Sequence, residues 1–540
     1  MANVKFAIYK IDNDICKPAT NSKGEIIGEK EIINGKEYYT ITTNNYGELT
    51  ADLPEGIYKA VEIKAPEKYD ISNSEYFFGI GKSREGLQGL NATFGMEIGT
   101  RKNGEEIIYE AKETSDGGTI EIGFFDGESL DLGNGIVLTG EINDIRNGII
   151  IKYNSEMECQ WAKSIKNSLV KSIAETIDGG IVIGGYFSQD NIDLGNGIVL
   201  NKKSIDGYDD GMIVKYNSEG ECEWAKVIGG ESGHVDRINS VAITKDGGII
   251  AGGQFNSKNI ELENSITIAQ NYITSNGIII KYNTNGEIEW AKQIGGESYD
   301  YIYSVEATSD GGIIAGGEFK TSSLTLENGT TLNNSKSGYS DGMIIKYNSN
   351  SEIEWAKTIG TNYDDEITSI VETTDGDITV GGESAGAGLI IRYNKTGDEK
   401  WSKQIGTTIL SVTKAKSGAI IAGGCFAGSS LEISNQITLA NNGEKDGMLI
   451  KYSKDGEAKW AKAVGGSNDD EIYYAQEKEN GTIQAVLRFR SSEINLENNI
   501  TVENLRSGYN HSMYAQFETV DIQNIVTTQE KSIGGNKADY

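Results

Sequence analysis

Residues 290–319 read WAKQIGGESYDYIYSVEATSDGGIIAGGEF, and residues 342–348 add GMIIKYN. Asp-Gly between two runs rich in β-branched residues is a strong hairpin signal, because both central residues of a tight hairpin turn need positive φ. A Gly-containing link, such as the NTNG at 283–286, separates the KYN phrase from the next Trp phrase and is a second turn signal. The stretch therefore predicts a unit of four short strands.

This unit recurs along most of the chain. The phrase built around DGGIIAGG and the phrase built around GMIIKYN each occur seven times when weaker copies are counted. The chain's six tryptophans all begin a WAKxIGG-type phrase, at spacings of 63, 66, 65, 46 and 59 residues: Trp161, Trp224, Trp290, Trp355, Trp401 and Trp460. Four strands repeated at roughly 60 residues favour a β-propeller over a solenoid, whose repeats are shorter, about 20–47 residues.

Most repeats carry an insertion between the second and third strands, of the type LDLGNGIVL. Its alternating apolar residues around a turn predict a small extra hairpin. The copies begin at Leu130, Ile192, Ile260, Leu324, Leu431 and Ile494. The fifth repeat lacks the insertion, which explains the short spacing of 46 residues.

In the order of these phrases, residues 94–540 resemble the bacterial SBBP (seven-bladed β-propeller) repeat family. The resemblance implies a closed ring of seven blades and no particular activity. We expect the propeller over 106–535, with 87–105 a linker or closing strand. Both FGMEIGT, which begins at Phe94, and Ser532–Gly535 resemble a degenerate Trp phrase. Only one is needed as the fourth strand of the last blade, and the sequence leaves the choice open.

Residues 1–86 do not share the repeat, and their alternating strands and Gly turns predict a small β-sandwich. Residues 43–69 resemble the Cna B-type, prealbumin-like domain of Gram-positive surface proteins. The matching residues are Asn45, Gly47, Leu53, Pro54, Gly56, Tyr58, Glu62, Ala65, Pro66 and Tyr69. That family often forms a Lys–Asn or Lys–Asp isopeptide bond, and Glu62 holds the assisting position. The strand that donates the Lys is missing, and Tyr76–Gly81 has no Asn or Asp, so we expect no such bond.

Composition excludes several classes of function. The 540 residues contain 49 Lys plus Arg and 80 Asp plus Glu, a net charge of −31, which argues against nucleic acid and anionic membrane partners. No apolar run approaches the ~18 residues of a membrane-spanning helix, and residues 1–16 have no signal-peptide pattern. His234 and His511 are the only histidines and lie far apart, which argues against a His-based metal site or a Ser-His-Asp triad.

Three groups of residues remain as candidates for a site. Clustered carboxylates in the turns after the Trp phrase suit Ca²⁺, and the weak candidates are Asp364, Asp365, Asp469 and Asp470. No EF-hand spacing accompanies them, so solvated turns are the alternative. The tryptophans could stack on sugars, although packing between blades is the expected role. Cys159 and Cys222 occupy one slot in adjacent repeats, too far apart for a disulfide, and predict buried thiols.

The TxDGG phrase at Thr114, Thr244, Thr308 and Thr373 resembles the start of the Asp box of sialidase propellers. These copies lack the aromatic residue that ends the box. Sialidases also need clustered arginines, whereas the arginines here are few and scattered along the sequence. A glycosidase would need two facing carboxylates, which sequence alone does not locate. We therefore expect no catalytic residues and no enzyme.

The sequence predicts an all-β chain, with a prealbumin-like sandwich before a seven-bladed propeller. We expect a monomeric, non-catalytic binding or adhesion module of a Gram-positive cell-surface or secreted protein. The propeller would present its loops or central funnel to a protein or glycan partner. Ca²⁺ is the only cofactor considered. The alternatives are a structural spacer without a specific ligand, and a glycan hydrolase or lyase that uses the funnel.

Overall fold

The structure is a computed structural model. It describes residues 4–12, 15–21, 23–33, 35–43, 51, 53, 56–64, 75–80, 88–98, 100–101, 105–133, 135–140, 146–205, 207–230, 235–270, 274–496, 498, 500–504 and 509–521. The chain divides into two compact units, residues 1–90 with 519–540, and residues 91–518. Among the described residues no helix has the length and apolar character needed to span a membrane.

The first unit is built on one sheet of six strands. Its strands are Lys5–Asp12, Ile15–Pro18, Glu29–Ile33, Lys36–Thr42, Gly56–Lys64 and Glu75–Ile80. Lys5–Asp12 is central, because it pairs with strands on both sides. Phe6, Ala7, Ile8 and Tyr58 are buried in this unit, so the central strand is buried at consecutive residues and not in the strict alternation that the sequence predicts. The side chains of Glu62 and Cys16 lie outside the described residues.

The second unit is built from seven four-stranded antiparallel sheets, counted over the described part of the chain. We call these sheets blades and number them along the chain. Blades 1–3 are Glu106–Glu113, Thr119–Asp126, Arg146–Tyr153 and Cys159–Ile165; Ser168–Glu175, Ile181–Phe187, Asp210–Tyr216 and Cys222–Ile228; and Arg237–Ile243, Ile249–Phe255, Asn276–Tyr282 and Ile288–Ile294. Blades 4–6 are Asp300–Ala307, Ile313–Phe319, Asp341–Tyr347 and Ile353–Ile359; Glu366–Glu372, Ile378–Ser384, Ala387–Tyr393 and Glu399–Gln404; and Thr408–Lys414, Ile420–Ala427, Lys445–Tyr452 and Ala458–Val464. Blade 7 is Asp470–Glu477, Ile483–Phe489, His511–Asp521 and Gln88–Glu97.

The predicted insertion hairpins are present in six blades and missing from blade 5, where a two-residue turn replaces the hairpin. The hairpins are Ser129–Asp131 with Val137–Thr139, Asn191–Asp193 with Val199–Asn201, Asn259–Glu261 with Thr267–Ala269, Ser323–Thr325 with Thr331–Asn333, Ser430–Ser434 with Ile437–Ala440, and Glu493–Asn495 with Thr501–Glu503. The first is joined by Thr100–Arg101. Two short 3-10 turns, Glu263–Ser265 and Lys416–Gly418, complete the described elements.

The first strand of each blade contacts the first strands of its neighbours, so these strands surround the axis of the unit and the Trp strands lie outside. Serine links the inner strands. The hydroxyl of Ser172 accepts from Val241 N at 3.1 Å, and the hydroxyl of Ser240 accepts from Val305 N at 3.0 Å. Ser304 and Ser369 repeat this contact, so the serine of the SVxxT-type phrase bonds each of blades 2–5 to the next blade.

The ring closes through a strand from the start of the repeat region. Gln88–Glu97, which contains Phe94, pairs with His511–Asp521 as the fourth strand of blade 7. Blade 7 also bonds to blade 1, since the Gln484 side-chain amide donates to Ala111 O at 2.8 Å. Of the two closing segments considered from the sequence, the Phe94 segment occupies this position, and Ser532–Gly535 lies outside the described residues.

The Asp-Gly turns differ from the two-residue turn that the sequence predicts. In blade 3 only Gly247 has positive φ, at 83°, and Gly247 N donates to Thr244 O at 2.8 Å. Asp246 instead uses its carboxylate to accept from Gly248 N at 3.2 Å and from the Thr244 hydroxyl. Thr244 N also donates to Gly248 O at 2.8 Å, so the loop between this pair has three residues, 245–247. The Asp is selected for its side chain rather than for a left-handed backbone.

The two recurring phrases are also bonded to each other. In blade 2 the Lys215 ammonium of the KYN phrase lies 2.6 Å from Asp178 of the DGG phrase. Blades 1, 3, 4 and 5 repeat this pair with Lys152–Asp116, Lys281–Asp246, Lys346–Asp310 and Arg392–Asp375. The pairing lowers the pKa of Asp178 to about 2, through hydrogen bonds from Lys215 and Thr176.

Candidate functional site

The candidate site lies around the axis that the first strands surround, at the end where these strands begin. Antiparallel strands bring two kinds of loop to this end, the links between blades and the connections that carry the insertion hairpins. Loops on a rigid scaffold are the usual place for binding residues. We call the region along this axis the channel, its end at this side the funnel, and the outer loops the rim.

Two positions in each blade line the funnel. The first is a bulged residue of the first strand, which has no partner in the register with the second strand: Tyr109, Lys171, Asn239, Tyr303, Thr368, Leu410 and Tyr473. The second precedes the last residue of the GGxF phrase: Phe124, Tyr186, Gln254, Glu318, Glu383, Cys425 and Arg488. Both positions vary between blades while the phrases around them are constant, so the lining differs from blade to blade.

Tyrosine is the most frequent residue at these positions, and two more tyrosines precede Tyr303 in blade 4. The rings of Tyr299, Tyr301 and Tyr303 follow one another along blade 4, with centroids 6.4 and 5.9 Å apart. Tyr299 is exposed on the rim, and Tyr301 and Tyr303 are half-buried. On the other side of the funnel, Tyr109 meets Tyr473 of blade 7 at 5.8 Å. A row of rings therefore leads from solvent into the channel.

Cations lie against aromatic rings in blades 1–3. The Lys171 ammonium is 4.1 Å from the centroid of the Tyr109 ring, and the Arg237 guanidinium is 4.2 Å from that of Tyr186. The Arg146 guanidinium is 4.8 Å from the centroid of Phe124. Burial, aided by Arg237 and Arg146, lowers the pKa of Lys171 to about 8. We call Arg146, Lys171 and Arg237 with these rings the basic wall.

Carboxylates gather in blades 4 and 5. Glu366 and Glu383 are register partners on neighbouring strands, and the charge of Glu318 of blade 4 also acts on Glu366. Tyr303 donates its hydroxyl to Glu318 at 2.7 Å, and Thr408 donates to Glu383 at 3.0 Å. Burial, followed by the charges of Glu318, Glu383 and Asp364, raises the pKa of Glu366 to about 7. We call these three glutamates the acidic wall.

The Ca²⁺ candidates are hydrogen-bond acceptors within the loops. Asp470 is buried and accepts from Gly466 N at 2.7 Å, the Ser491 hydroxyl at 2.6 Å and Arg490 N at 3.0 Å. Asp365 makes the same kind of contact with Thr361 N and Ala385 N.

The other two candidates lie beside them. Asp364 accepts from Ser340 N at 2.9 Å, and the carbonyl of Asp469 accepts from Arg490 N at 3.2 Å. In the part of the chain that the structure describes, no three Asp, Glu, His or Cys side chains form a group suited to a metal. The buried aspartate of each turn instead holds the link between blades against the loop after the second strand.

The remaining candidates have structural surroundings. Four tryptophan rings pack against the next blade, over a glycine in the turn between its third and fourth strands. The pairs are Trp161 with Gly220, Trp224 with Gly286, Trp355 with Gly397 and Trp401 with Gly456. Cys159 and Cys222 are buried thiols without a disulfide. His511 is buried near two carboxylates, with its Nδ1 3.3 Å from Glu97 and 3.6 Å from Glu106, a cluster that the sequence did not indicate. His234 lies outside the described residues.

A second concavity lies on the outside, between blades 2 and 3. Its lysines already have partners: Lys226 lies 2.6 Å from Glu263, Lys203 donates to Glu261 O at 3.0 Å, and Lys202 donates to Ser188 O at 3.0 Å. Contacts of this kind fix the hairpins to the blades. We therefore place the candidate site in the funnel, where charged and aromatic groups converge.

Sequence reasoning did not find the funnel residues. Arg146 and Arg237 are 91 residues apart in the sequence, where the arginines look scattered. In the structure both lie near Lys171, so distance along the chain did not predict their grouping. One signal was available. Within the constant GGxF phrase the residue x changes from Tyr186 to Gln254, Glu318 and Cys425. Variation at a single site inside a repeated phrase indicates a position that packing does not determine.

Comparison with known proteins supports the fold of the N-terminal domain. Residues 1–93 match the family model described as SpaA: Prealbumin-like fold domain. A search of curated proteins gives no match. Similar solved structures include a protein of unknown function from Dyadobacter fermentans, 9% identical over 80% of this chain and 100% of that chain, with a TM-score of 0.40.

Two further structures are similar at the same low level. Sqt1 from Chaetomium thermophilum, bound to the N-terminus of ribosomal protein L10, is 9% identical over 74% of this chain and 97% of that chain, with a TM-score of 0.35. The Dos1 propeller is 9% identical over 79% and 95%, with a TM-score of 0.36. With TM-scores below 0.5, these likenesses carry no argument about this chain. The sheet order, the contacts between first strands and the family match show that the chain is all-β, with a prealbumin-like N-terminal domain followed by a β-propeller.

Proposed function

We propose that this chain is a non-catalytic binding module of a cell-surface or secreted protein, in which the funnel of a seven-bladed propeller of the SBBP type binds a glycan. The observation that carries the proposal is the row of Tyr299, Tyr301 and Tyr303, which leads from the rim into the channel. Aromatic faces with polar hydroxyl ends suit a ligand that is apolar on one side and hydroxylated at its edges.

The varied lining favours binding over a spacer role. A spacer needs only the contacts that hold the blades together, and those are made by the constant phrases. The two lining positions carry Tyr, Lys, Arg, Glu, Gln and Asn in different blades, which builds one asymmetric surface from seven similar units. An asymmetric polar surface in a concave site is what a specific ligand requires.

The N-terminal match supports the proposed location. The prealbumin-like domain found over residues 1–93 belongs to surface proteins, and such a domain would carry the propeller outward. Adhesion to a glycan of a host or neighbouring cell is the function that combines both parts.

A glycan hydrolase or lyase is the second candidate, and the acidic wall is the observation that favours it. Glu366, with a pKa of about 7, has the property of a general acid near neutral pH. However, Glu366 and Glu383 are side by side on adjacent strands, whereas glycoside hydrolysis needs carboxylates on opposite sides of the scissile bond. Binding without chemistry therefore fits the geometry better.

A glycan array followed by calorimetry tests the proposal. We expect the intact chain to bind a subset of oligosaccharides, and Tyr301→Ala to weaken binding of the best one by at least about tenfold, equivalent to 1.4 kcal/mol. Tyr38→Ala, in the N-terminal domain, is the control and should leave affinity unchanged. Absence of any bound glycan, or equal affinity in Tyr301→Ala, would contradict the proposal.

The same oligosaccharides test the enzyme alternative. Each bound glycan is incubated with the intact chain and with Glu366→Gln, and chain length is followed by mass spectrometry. We expect no cleavage by either protein. Cleavage by the intact chain that Glu366→Gln abolishes would replace the binding module with a hydrolase or lyase.

A further inference from the structure

The basic wall contains cations without a carboxylate partner. Lys171 and Arg146 form no ion pair with any described residue, although the chain has 80 acidic residues. Other cations near the channel are paired: Lys112 lies 3.1 Å from Glu110, and Arg488 lies 3.0 Å from Glu471. Arg146 is exposed, whereas Lys171 is half-buried. A half-buried cation is costly without a counter-charge, so the retention of Lys171 in an acidic protein favours a counter-charge from a ligand.

The geometry of the wall suits an anion attached to a ring. Lys171 and Arg146 rest on Tyr109 and Phe124 of blade 1, and these two rings are 6.1 Å apart. Arg237 of blade 3 rests on Tyr186 and is already paired with Asp209, 3.1 Å from its Nε. The aromatic rings hold the charged groups of Lys171 and Arg146 beside one another.

We propose that the basic wall binds the anionic oxygen group, a carboxylate or a sulfate, of an acidic glycan held in the funnel. This inference rests on the proposed function and specifies its ligand class. Arg146 would supply planar donors to two oxygens of the group, and Lys171 a point charge beside it.

The acidic wall fixes the direction in which such a ligand enters. Glu318, Glu366 and Glu383 belong to blades 4 and 5, whereas the basic wall belongs to blades 1–3. An anionic group is attracted to one side of the funnel and repelled from the other, which gives orientation as well as affinity. The hydroxylated remainder of the glycan would lie along the tyrosines of blade 4.

The charge of Lys171 makes binding depend on pH. The charged or titratable groups that face it are Arg237, Arg146 and Tyr109, with Tyr186 beyond them. Burial keeps the pKa of Tyr109 well above its ordinary value, so this phenol stays neutral below pH 9. Lys171, with its pKa near 8, is then the group whose charge is lost as pH rises from 7 to 9. Anion affinity should fall over this range.

The experiment compares uronate-bearing, sulfated and neutral oligosaccharides on one array with the intact chain. The tightest acidic glycan and its carboxyl-reduced or desulfated form are then titrated by calorimetry at pH 7 and pH 9. We expect the neutral form to bind at least tenfold more weakly at pH 7. Lys171→Gln and Arg146→Gln should each weaken acidic-glycan binding about tenfold. Lys292→Gln is the control: it also removes one positive charge that lies over an aromatic ring, that of Trp290 on an outer strand, and should not change binding.

Lys171→Arg gives the decisive readout, because arginine stays charged at pH 9. We expect it to retain binding at pH 7 and to lose the decline between pH 7 and pH 9, and this result stands even if Lys171→Gln does not fold. Equal binding of neutral and acidic forms, still weakened by Tyr301→Ala, would overturn this inference and leave the proposed function standing. Absence of all glycan binding would overturn both.

Discussion

At the scale of single residues, Glu121 is in conflict with its surroundings. It lies in the second strand of blade 1, fully buried, and neither carboxylate oxygen has a hydrogen-bond partner in the described structure. The register places Ile183 and Ala251 at this position in blades 2 and 3. Burial alone raises the pKa of Glu121 to about 8, so its carboxyl group is mainly protonated near pH 7.

Replacing Glu121 by the isoleucine of blade 2 should therefore stabilise the propeller in a pH-dependent way. The folded pKa is above the unfolded value of 4.5, so the native state binds more protons and loses stability as pH rises from about 4.5 to 8. We expect Glu121→Ile to raise the free energy of unfolding by about 2 kcal/mol or more at pH 8, and by clearly less at pH 5. Urea denaturation at both pH values measures the difference.

The control for this substitution is Glu219→Gln, at an exposed turn residue of blade 2. It removes one charge without relieving burial, and its effect should be small at both pH values. If Glu121→Ile gave the same gain at pH 5 and pH 8, the carboxyl would not be the pH-dependent group, and the argument from burial would be wrong.

At the scale of elements, the hairpin between the third and fourth strands is joined to the Trp strand of the preceding blade. Gly286 has φ of 75°, and a Cβ there would lie 2.7 Å from the Trp224 ring of blade 2. The Trp161 indole repeats the contact and donates to Ser218 O at 3.1 Å. The turn thus needs Gly for two reasons: the backbone is left-handed, and a Cβ would clash with the neighbouring Trp ring.

Alanine substitution separates these two effects. Gly286→Ala must accept both the positive φ and the clash with Trp224, and we expect a loss of about 2–4 kcal/mol. Gly376→Ala has a similar φ, 80°, with no atom within 4 Å of the new Cβ, and should cost about 1 kcal/mol. Chemical denaturation of both variants measures the difference. Equal losses would show that the Trp contact does not restrict this turn.

At the scale of the whole molecule, the ring depends on one strand from far along the chain. Gln88–Glu97 completes blade 7, and the Thr93 hydroxyl donates to Gln516 O at 3.3 Å. His511, Glu97 and Glu106 bring together the closing strand, blade 7 and blade 1. Strands distant in sequence thus hold the first and last blades together.

Removal of this strand should loosen blade 7 selectively. We compare a chain that begins at residue 88 with one that begins at residue 99, so that both lack the N-terminal domain and only one retains the strand. We expect the shorter chain to unfold at a temperature several degrees lower, because the fourth strand and its buried side chains are lost. Its amides in Ile483–Phe489 should exchange hydrogen faster, while those of Ile313–Phe319 in blade 4 change little. Unchanged exchange in blade 7 would contradict closure by this strand.

Much of this architecture follows from the sequence alone. The Asp-Gly turns, the KYN phrase and the Trp phrase recur in a fixed order, so each local stretch specifies the same four strands, and the LxLxNG insertions specify the added hairpins. The 46-residue spacing before Trp401 already indicates the missing hairpin of blade 5. These features were predictable because they depend on residues close together in the chain.

The funnel and the closing strand were decided only by the tertiary structure. Arg146, Lys171 and Arg237 belong to three different repeats, and each is an ordinary variable residue within its own repeat. Glu366 acquires its raised pKa from Glu318 of another blade as well as from burial. The physical reason is that the axis of a ring collects one position from every repeat. Charge, stacking and burial at that axis depend on which side chains from different blades are in contact. Local sequence patterns do not specify these contacts.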